Sequence, residues 1–137
     1  MRTGKTPPTI IYLWWLICTG KIDCALVIVP NNIKYLWYDE LAKDLPEYIQ
    51  SLTNIIEGTK AQKTALWTQD KLFYLANYEC VRSDIEVIID VFKNKRICLV
   101  GDECHRIKNT EAQQTQAVKR IPRRYTILLS GTPVANK

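Results

Sequence analysis

Residues 97–105 read ICLVGDECH, an apolar run that passes without interruption into a cluster of polar side chains. A short run without alternating polar positions is typical of a strand covered on both faces, as in a parallel sheet. Ligands bind at the carboxyl edge of such sheets, which is where Asp102 and Glu103 stand. One carboxylate can hold Mg²⁺ while the other polarises water, although a solvated acidic turn is the commoner meaning of a bare Asp-Glu pair.

Similar apolar runs recur along the chain, and helix-like segments separate them. Strands are predicted at residues 25–29 (ALVIV), 72–75 (LFYL), 97–100 (ICLV) and 127–129 (ILL), with a weaker candidate at 51–57. Strands that alternate with helices through short connections form an open sheet with helices on both sides. The predicted fold is one three-layer α/β domain spanning residues 1–137, with a mostly parallel sheet. Asp102 and Ser130 are then expected at the same edge of the sheet.

The segments between the strands predict five helices. Residues 9–18 (TIIYLWWLIC) are apolar almost all round, which predicts a deeply buried helix. Asn32 can cap a second helix, and Ser83 or Asp84 can cap a third. The predicted apolar faces of those two helices are Ile33, Leu36, Trp37, Leu41 and Leu45, and Ile85, Ile88, Ile89 and Phe92. The other two helices are predicted at residues 60–68 and 111–120, the latter polar and exposed.

The composition is that of an ordinary globular protein, and 137 residues make one domain. Hydrophobic residues make up 47% and charged residues 24%, which excludes a disordered chain or a coiled coil. The five cysteines form no C-x-x-C pair, which favours a reducing, intracellular compartment without disulfides or a zinc site. Residues 9–18 are too short to cross a membrane, and no membrane association is expected. The formal net charge of +5 agrees weakly with a polyanionic partner.

Two further motifs lie near the two ends of the chain. Gly4, Lys5 and Thr6 have the residue types that cradle a phosphate at a helix N-terminus, although a basic N-terminal tail is the simpler explanation. Residues 130–133 (SGTP) follow a predicted strand and, taken alone, form a turn. What the three motifs share is their position, in order, at strand or helix ends of one α/β domain.

In that combination the chain resembles the first RecA-like lobe of superfamily-two helicases, and within them the Swi/Snf-type DNA translocases. The resemblance covers residues 1–6 (MRTGKT), 27–41 (VIVPNNIKYLWYDEL), 76–84 (ANYECVRSD), 99–109 (LVGDECHRIKN) and 125–136 (YTILLSGTPVAN). The Arg-Ile-Lys-Asn tail after His105 is the mark of this family among DEAH-type proteins. Two positions depart from the family pattern, since Cys104 replaces the usual Ala and Arg2 replaces a common Gly.

The resemblance implies a site for ATP and Mg²⁺. Gly4, Lys5 and Thr6 would bind the nucleotide, with Lys5 on the β and γ phosphates. Thr6 and Asp102 would hold Mg²⁺, and Glu103 would orient or deprotonate the attacking water, so that Glu103, Asp102 and Lys5 form the catalytic set. The residues that would couple the nucleotide to DNA and to a second helicase lobe are His105, Ser130 and Thr132.

The resemblance also implies a DNA partner, held by its phosphates and without sequence specificity. The candidate DNA-binding residues are Asn31, Asn32, Lys34, Tyr78 and Arg82. Lys34 and Arg82 are equally compatible with a solvated surface charge. The second lobe and its arginine finger are not in residues 1–137, so the isolated chain is expected to be inactive as an ATPase.

Two alternatives remain open from the sequence. One is another superfamily-two motor, such as a restriction-type or RNA helicase, and the Arg-Ile-Lys-Asn tail argues against it. The other is a non-catalytic nucleic-acid-binding remnant in which the motifs are inherited but idle. The short connection at residues 46–71 favours a compact bacterial or viral source over a nuclear one.

Overall fold

The computed structural model of the chain describes residues 6–102 and 111–129, with side chains from Pro8 to Asp102 and from Gln116 to Leu129. The strands are β1 (Cys24–Ile28), β2 (Thr53–Ile55), β3 (Phe73–Ala76), β4 (Ile97–Asp102) and β5 (Tyr125–Leu129). The helices are α1 (Thr6–Cys18), α2 (Lys34–Asp44), α3 (Lys60–Thr68), α4 (Tyr78–Ser83), α5 (Ile85–Phe92) and α6 (Glu111–Arg120). Two 3₁₀ turns, Asn31–Ile33 and Glu47–Leu52, precede α2 and β2.

Five parallel strands form one sheet in the order β2-β3-β1-β4-β5. The central strand, β1, pairs with β3 on one side and with β4 on the other, where Ile28 is level with Gly101. β4 pairs with β5 in a register that sets Asp102 opposite Leu129. The predicted parallel α/β sheet is therefore confirmed, and the weaker candidate strand at residues 51–57 is the short β2.

Helices cover both faces of the sheet, as the three-layer prediction requires. On one face α1 and α2 pack against Ala25, Val27 and Val100, with Trp37 and Leu41 fully buried. On the other face α3, α4, α5 and α6 pack against Leu26, Ile28 and Leu99, and the buried residues include Trp67, Ile88 and Phe92. The strand residues alternate between the two clusters because neighbouring side chains of a strand point to opposite faces.

Two predictions of complete burial are wrong. In α1, Ile11, Tyr12 and Trp15 are 42–53% exposed, because only the side of the helix that carries Ile10, Leu13 and Leu16 faces the sheet. In β5, half-buried and exposed residues alternate, and Leu128 is 65% exposed. β5 is the outer strand of the sheet in the described residues, so its apolar sequence does not have a helix over both faces.

The predicted cap of α2 is wrong, and Asp84 occupies the predicted N-cap position of α5 without making a side-chain capping bond. Asn32 lies inside the first 3₁₀ turn, which is closed by the backbone N–H of Ile33 donating to Pro30, and α2 begins at Lys34 without a side-chain cap. Leu36, expected on the inner face of α2, is 41% exposed. Asp84 precedes α5, but its carboxylate turns inward and caps nothing.

The cysteines agree with a reduced protein within the described residues. Cys18, Cys24, Cys80 and Cys98 are all free thiols, and the last three are buried. Burial raises the pKa of each buried thiol to about 12, with nearby Asp84 adding to the effect at Cys80. These side chains are therefore neutral and serve as small apolar residues.

Candidate functional site

Asp102 ends β4 as a buried carboxylate that is held from two directions. Its side chain is 4% exposed, and its Oδ2 accepts a hydrogen bond of 3.1 Å from the indole Nε1 of Trp37. Its backbone carbonyl accepts a hydrogen bond of 2.8 Å from the Tyr78 hydroxyl. Trp37 is fully buried on the inner face of α2, and Tyr78 is the first residue of α4. Helices from both sides of the sheet therefore meet at the end of β4.

The end of β4 lies at the same edge of the sheet as the N-terminus of α1. Residues 19–23 join the C-terminus of α1 to the start of β1, so α1 runs antiparallel to the strands while it packs against them. Its N-terminal residue, Thr6, consequently lies on the side where β1 and β4 end. A helix N-terminus carries a partial positive charge, which suits a phosphate. In the first turn of α1 only Thr6 and Thr9 have a backbone N–H, because Pro7 and Pro8 lack one. The sequence motif Gly4-Lys5-Thr6 leads directly into this terminus.

Several predicted site residues lie outside the described part of the chain. They are Gly4, Lys5, Glu103, His105, Ser130 and Thr132, together with the side chain of Thr6. Their roles stay predictions. In the sequence, Glu103 directly follows Asp102 and Ser130 directly follows Leu129. Asp102 and Leu129 are paired across β4 and β5.

A polar groove of about 780 Å³ runs along the same edge, beside the ends of β1, β2 and β3. Three of the five candidate DNA-binding residues line it, namely Asn31, Lys34 and Arg82. Its other lining residues include the basic Lys63 and the acidic Glu57 and Glu79. The groove therefore has three basic and two acidic side chains, a balance that permits an anionic ligand at its basic positions.

Lys34 is less available than the sequence suggested. It is 3% exposed, and its ammonium donates to the backbone carbonyl of Ile56 at 3.4 Å. The same nitrogen lies 3.8 Å from a carboxylate oxygen of Glu57, which is also bonded to the Tyr35 hydroxyl. A phosphate at this position would have to share Lys34 with Glu57.

The other candidate DNA-binding residues are placed differently. Tyr78 is half-buried, with its hydroxyl directed at the end of β4, and it does not line the groove. Asn32 is exposed and also lies outside the groove lining. Arg82 is exposed at the far end of α4. The structure therefore brings Asn31, Lys34 and Arg82 together in the groove lining, while Tyr78 lies on α4 between the lining residues Asn77 and Glu79.

Two of the groove residues that sequence reasoning missed have polar side chains with a clear structural or electrostatic role. Asn77 follows β3, caps α4 by accepting from the Cys80 N–H at 2.7 Å, and donates to the Asn31 side chain at 3.1 Å. It thereby ties the turn before α2 to the start of α4. Lys63 lies on α3, a helix that no motif pointed to. An Asn immediately after an apolar run is a recognisable cap, so Asn77 could have been found, whereas Lys63 depends on tertiary packing.

A second buried carboxylate, Asp84, lies on the opposite face of the sheet from Trp37. Asp84 is fully buried and accepts from the Lys60 ammonium at 2.8 Å and from the Trp67 indole at 3.0 Å, with Lys63 at 3.7 Å. Desolvation on its own would raise the pKa of Asp84. The hydrogen bonds from Lys60, Trp67 and Cys80 and the charge of Lys63 outweigh it, and the pKa is lowered from its ordinary value of 3.8.

Asp102 has the chemistry of a ligand for a hard divalent cation. Mg²⁺ prefers oxygen ligands, and beside nucleotides it takes one or two carboxylates while phosphates and water complete its shell. In the described ranges no three His, Cys, Asp or Glu side chains form a cluster. A shell completed by phosphates and water does not need such a cluster. Asp102 forms no ion pair with a described basic residue, and its carboxylate oxygens are ligands of the type that a hard cation prefers. Helices long and apolar enough to cross a membrane are not found among the described residues.

Comparison with known proteins places this geometry in a family. The model of the SNF2-related domain matches residues 1–137. The human DNA repair and recombination protein RAD54-like is 32% identical over 99% of this chain, and the match covers 20% of its own length. The helicase SWR1 of Gibberella zeae is 31% identical over 99% of this chain and is matched over 8% of its length.

The fold is also similar to a solved structure, the Sulfolobus solfataricus SWI2/SNF2 ATPase core in complex with dsDNA. The TM-score is 0.79 with 25% sequence identity, over 100% of this chain and 27% of the solved chain. The chain thus spans about a fifth to a quarter of the length of the RAD54-like relative and of this structure. The human and Gibberella zeae relatives are eukaryotic and the solved structure is archaeal, which does not fit the expectation of a bacterial or viral source.

Proposed function

Because this chain belongs to the SNF2-related domain family, we propose that it is the ATP-binding lobe of a DNA-dependent ATPase that moves along duplex DNA. The observation that carries the proposal is Asp102. A buried carboxylate without a described cationic partner ends a parallel strand on the side where α1 begins. That is the place at which a sheet of this type binds its ligand.

In the proposed site the N-terminus of α1 receives the triphosphate. Gly4 lets the backbone approach, Lys5 contacts the β and γ phosphates, and the Thr6 hydroxyl and Asp102 hold Mg²⁺. The bound Mg²⁺ would neutralise charge on the phosphate oxygens. Glu103, next in sequence to Asp102, orients the attacking water and accepts its proton.

The proposed DNA contact is the polar groove, with Arg82 as its exposed cation and Asn31 and Asn77 as neutral donors. Contacts of this kind hold phosphates and do not distinguish bases. We extend the contact to Asn32 because it adjoins Asn31 on the exposed turn. Tyr78 belongs to the proposed interface through α4, although its hydroxyl serves Asp102.

The proposed activity requires a longer protein than residues 1–137. A second RecA-like lobe would close on the nucleotide and supply an arginine finger, which is worth roughly 10³ to 10⁵ in rate for phosphoryl transfer. His105, Ser130 and Thr132 would transmit the nucleotide state to DNA and to that lobe. The 137-residue chain alone is accordingly proposed to be almost inactive. We propose further that the full-length enzyme works inside the cell.

The test is ATP turnover by the full-length protein, with and without duplex DNA. We expect DNA to stimulate turnover, and Glu103→Gln to lower it roughly 100-fold or more, because the variant loses the general base. The control variant is Glu47→Gln, which changes an exposed carboxylate in the second 3₁₀ turn and should turn over normally. If Glu103→Gln hydrolyses ATP at the rate of an active wild type, Glu103 is not the general base. If the wild-type protein shows no turnover with or without DNA, the non-catalytic alternative replaces the proposal.

A further inference from the structure

The carboxylate of Asp102 is oriented by a residue that the nucleotide motifs do not include. Trp37 donates its indole N–H to Oδ2 at 3.1 Å, and both side chains are buried, so no water competes for the bond. A buried Trp normally finds an acceptor for this N–H, and a hydrogen bond to a charged acceptor is stronger than one between neutral groups. With Oδ2 held, rotation of the carboxylate is restrained, and Oδ1 has no hydrogen bond to a described residue.

A second residue holds the main chain at the same point. The Tyr78 hydroxyl donates to the Asp102 carbonyl at 2.8 Å, across the end of β4. The two donors come from opposite faces of the sheet, since α2 packs in the cluster with α1 and α4 packs in the cluster with α5. The side chain and the backbone of Asp102 are therefore held independently.

The elements that hold Asp102 are also those that line the polar groove. α2 directly follows the turn containing Asn31, and α4 begins at Tyr78 and carries Arg82 near its end. Asn77, at the start of α4, bonds to Asn31 and joins the two elements at the groove. A change in the position of either helix would consequently alter a hydrogen bond of Asp102.

We propose that Trp37 and Tyr78 are positioning residues for Asp102. From the two helices that border the polar groove, they set the geometry of the carboxylate that binds Mg²⁺. This inference rests on the proposed function, because it takes Asp102 as a ligand of Mg²⁺. Their effect is on how well Asp102 presents its oxygen.

The expected consequence is a weaker metal site in Trp37→Phe. This variant keeps an aromatic ring in the core and removes the N–H donor, so the carboxylate is free to turn. Outer partners of metal ligands typically contribute about 10- to 100-fold to metal affinity. We expect the Mg²⁺ concentration that half-saturates nucleotide binding to rise about tenfold. Tyr78→Phe, which loses a bond to a backbone carbonyl, should raise it roughly threefold.

The chain supplies matched controls for both variants. Trp67→Phe removes an indole N–H from the other buried carboxylate, Asp84, at the nearly identical distance of 3.0 Å. Tyr74→Phe removes a hydroxyl that donates to the Gln69 carbonyl and accepts from the Lys71 N–H. Both controls affect the core without touching Asp102, so they report the cost of a lost buried hydrogen bond alone.

The measurement is equilibrium binding of a fluorescent, non-hydrolysable ATP analogue to the full-length protein, titrated with Mg²⁺. DNA affinity by fluorescence anisotropy is measured on the same samples, and circular dichroism establishes that each variant is folded. We expect Trp37→Phe and Tyr78→Phe to shift the Mg²⁺ midpoint while analogue affinity in the absence of Mg²⁺ stays close to that of wild type. DNA affinity should also stay close to wild type in Trp37→Phe, because Trp37 is fully buried and lies outside the proposed DNA interface. Trp67→Phe and Tyr74→Phe should leave the midpoint unchanged.

The possible failures are distinguishable. An unchanged Mg²⁺ midpoint in folded Trp37→Phe and Tyr78→Phe overturns this inference and leaves the proposed function standing. An equal shift in Trp67→Phe also overturns it, since the effect would then be a general loss of core packing. A wild-type protein whose analogue affinity does not respond to Mg²⁺ contradicts the proposed function itself, and the inference with it.

Discussion

The described residues contain two buried Trp–Asp pairs that have similar hydrogen-bond geometry. They differ in the number of basic side chains beside the carboxylate. Trp67 donates to Asp84 at 3.0 Å, and Trp37 donates to Asp102 at 3.1 Å. Asp84 also has Lys60 at 2.8 Å and Lys63 at 3.7 Å, whereas Asp102 has no ion pair with a basic residue in the described ranges. Within the described residues the two carboxylates are therefore alike in burial and differ in the cations beside them, a contrast that agrees with the proposed role of Asp102.

The physical reason lies in the cost of burying a negative charge. An ionised carboxylate out of water is expensive unless cations or donors compensate it, and removing the partner of a buried pair costs about 3–5 kcal/mol. Asp84 is compensated within the chain and joins α3, α4 and α5. Among the described residues, the side chain of Asp102 has the neutral Trp37 indole as its donor and no basic partner. Functional sites commonly retain such unfavourable groups at the expense of stability.

The largest expected effect is on the stability of the Asp84 pair. Asp84→Ala should lower the free energy of unfolding by about 3 kcal/mol, because it leaves the buried Trp67 indole and the mostly buried Lys63 ammonium without their acceptor, whereas the exposed Lys60 can turn to water. Asp102→Asn should change it by about 1 kcal/mol or less, since an amide oxygen can still accept from Trp37. Urea denaturation of the 137-residue chain measures both. Equal losses in the two variants would break the distinction between the pairs.

A smaller effect is expected from acid. The pKa of Asp84 is lowered from 3.8 in the folded protein, so its contribution to stability is complete above that value and is lost as the pH falls below it. The difference in unfolding free energy between wild type and Asp84→Asn should accordingly be constant from pH 7 to about pH 5 and shrink below about pH 4. Denaturation series at several pH values provide the check. A difference that grows in acid would mean that the pKa of Asp84 is raised by folding.

The smallest effect concerns α4, which touches both pairs. Tyr78 contacts the Asp102 carbonyl, and Cys80 Sγ lies 3.3 Å from Asp84 Oδ2. Arg82 lies on the same helix and lines the groove, so its substitution should change DNA binding and leave both Trp–Asp pairs intact. Arg82→Ala is expected to weaken binding of duplexes of any sequence and to reduce the slope of log affinity against log salt by about 1. Anisotropy at several salt concentrations measures this slope, and a loss confined to one DNA sequence would point to base recognition instead.

The sequence predicted the sheet well because the signal for a strand buried on both faces is local. Residues 25–29, 72–75 and 97–100 each lie within one or two residues of an observed strand. The exposure of Tyr12 and Trp15 could not be predicted, because apolar residues all round α1 do not reveal whether anything covers the outer side. The same limit applies to Leu128, whose exposure depends on the position of β5 in the sheet.

The candidate site was only partly predictable for a similar reason. Asp102 was found from its place after an apolar strand, and Asn31, Lys34 and Arg82 from resemblance to a family. The partners that decide what these residues can do are distant in sequence. Trp37 lies 65 residues from Asp102, and Lys34 lies 22 residues from Ile56, the residue whose carbonyl it contacts. The sequence pattern assigns Trp37 only to an apolar helix face, and Asp84 only to a cap.

The most direct test of the central claim is the magnesium dependence of ATP binding in wild type and in Asp102→Asn. Titration calorimetry of the full-length protein, with a non-hydrolysable analogue in the presence and absence of Mg²⁺, measures it. The account predicts that Mg²⁺ tightens binding to the wild type, and that Asp102→Asn loses most of this gain while Asp84→Asn, if folded, retains it. If Asp102→Asn responds to Mg²⁺ as the wild type does, Asp102 is not the metal-binding carboxylate and the contrast between the two buried aspartates has no functional meaning.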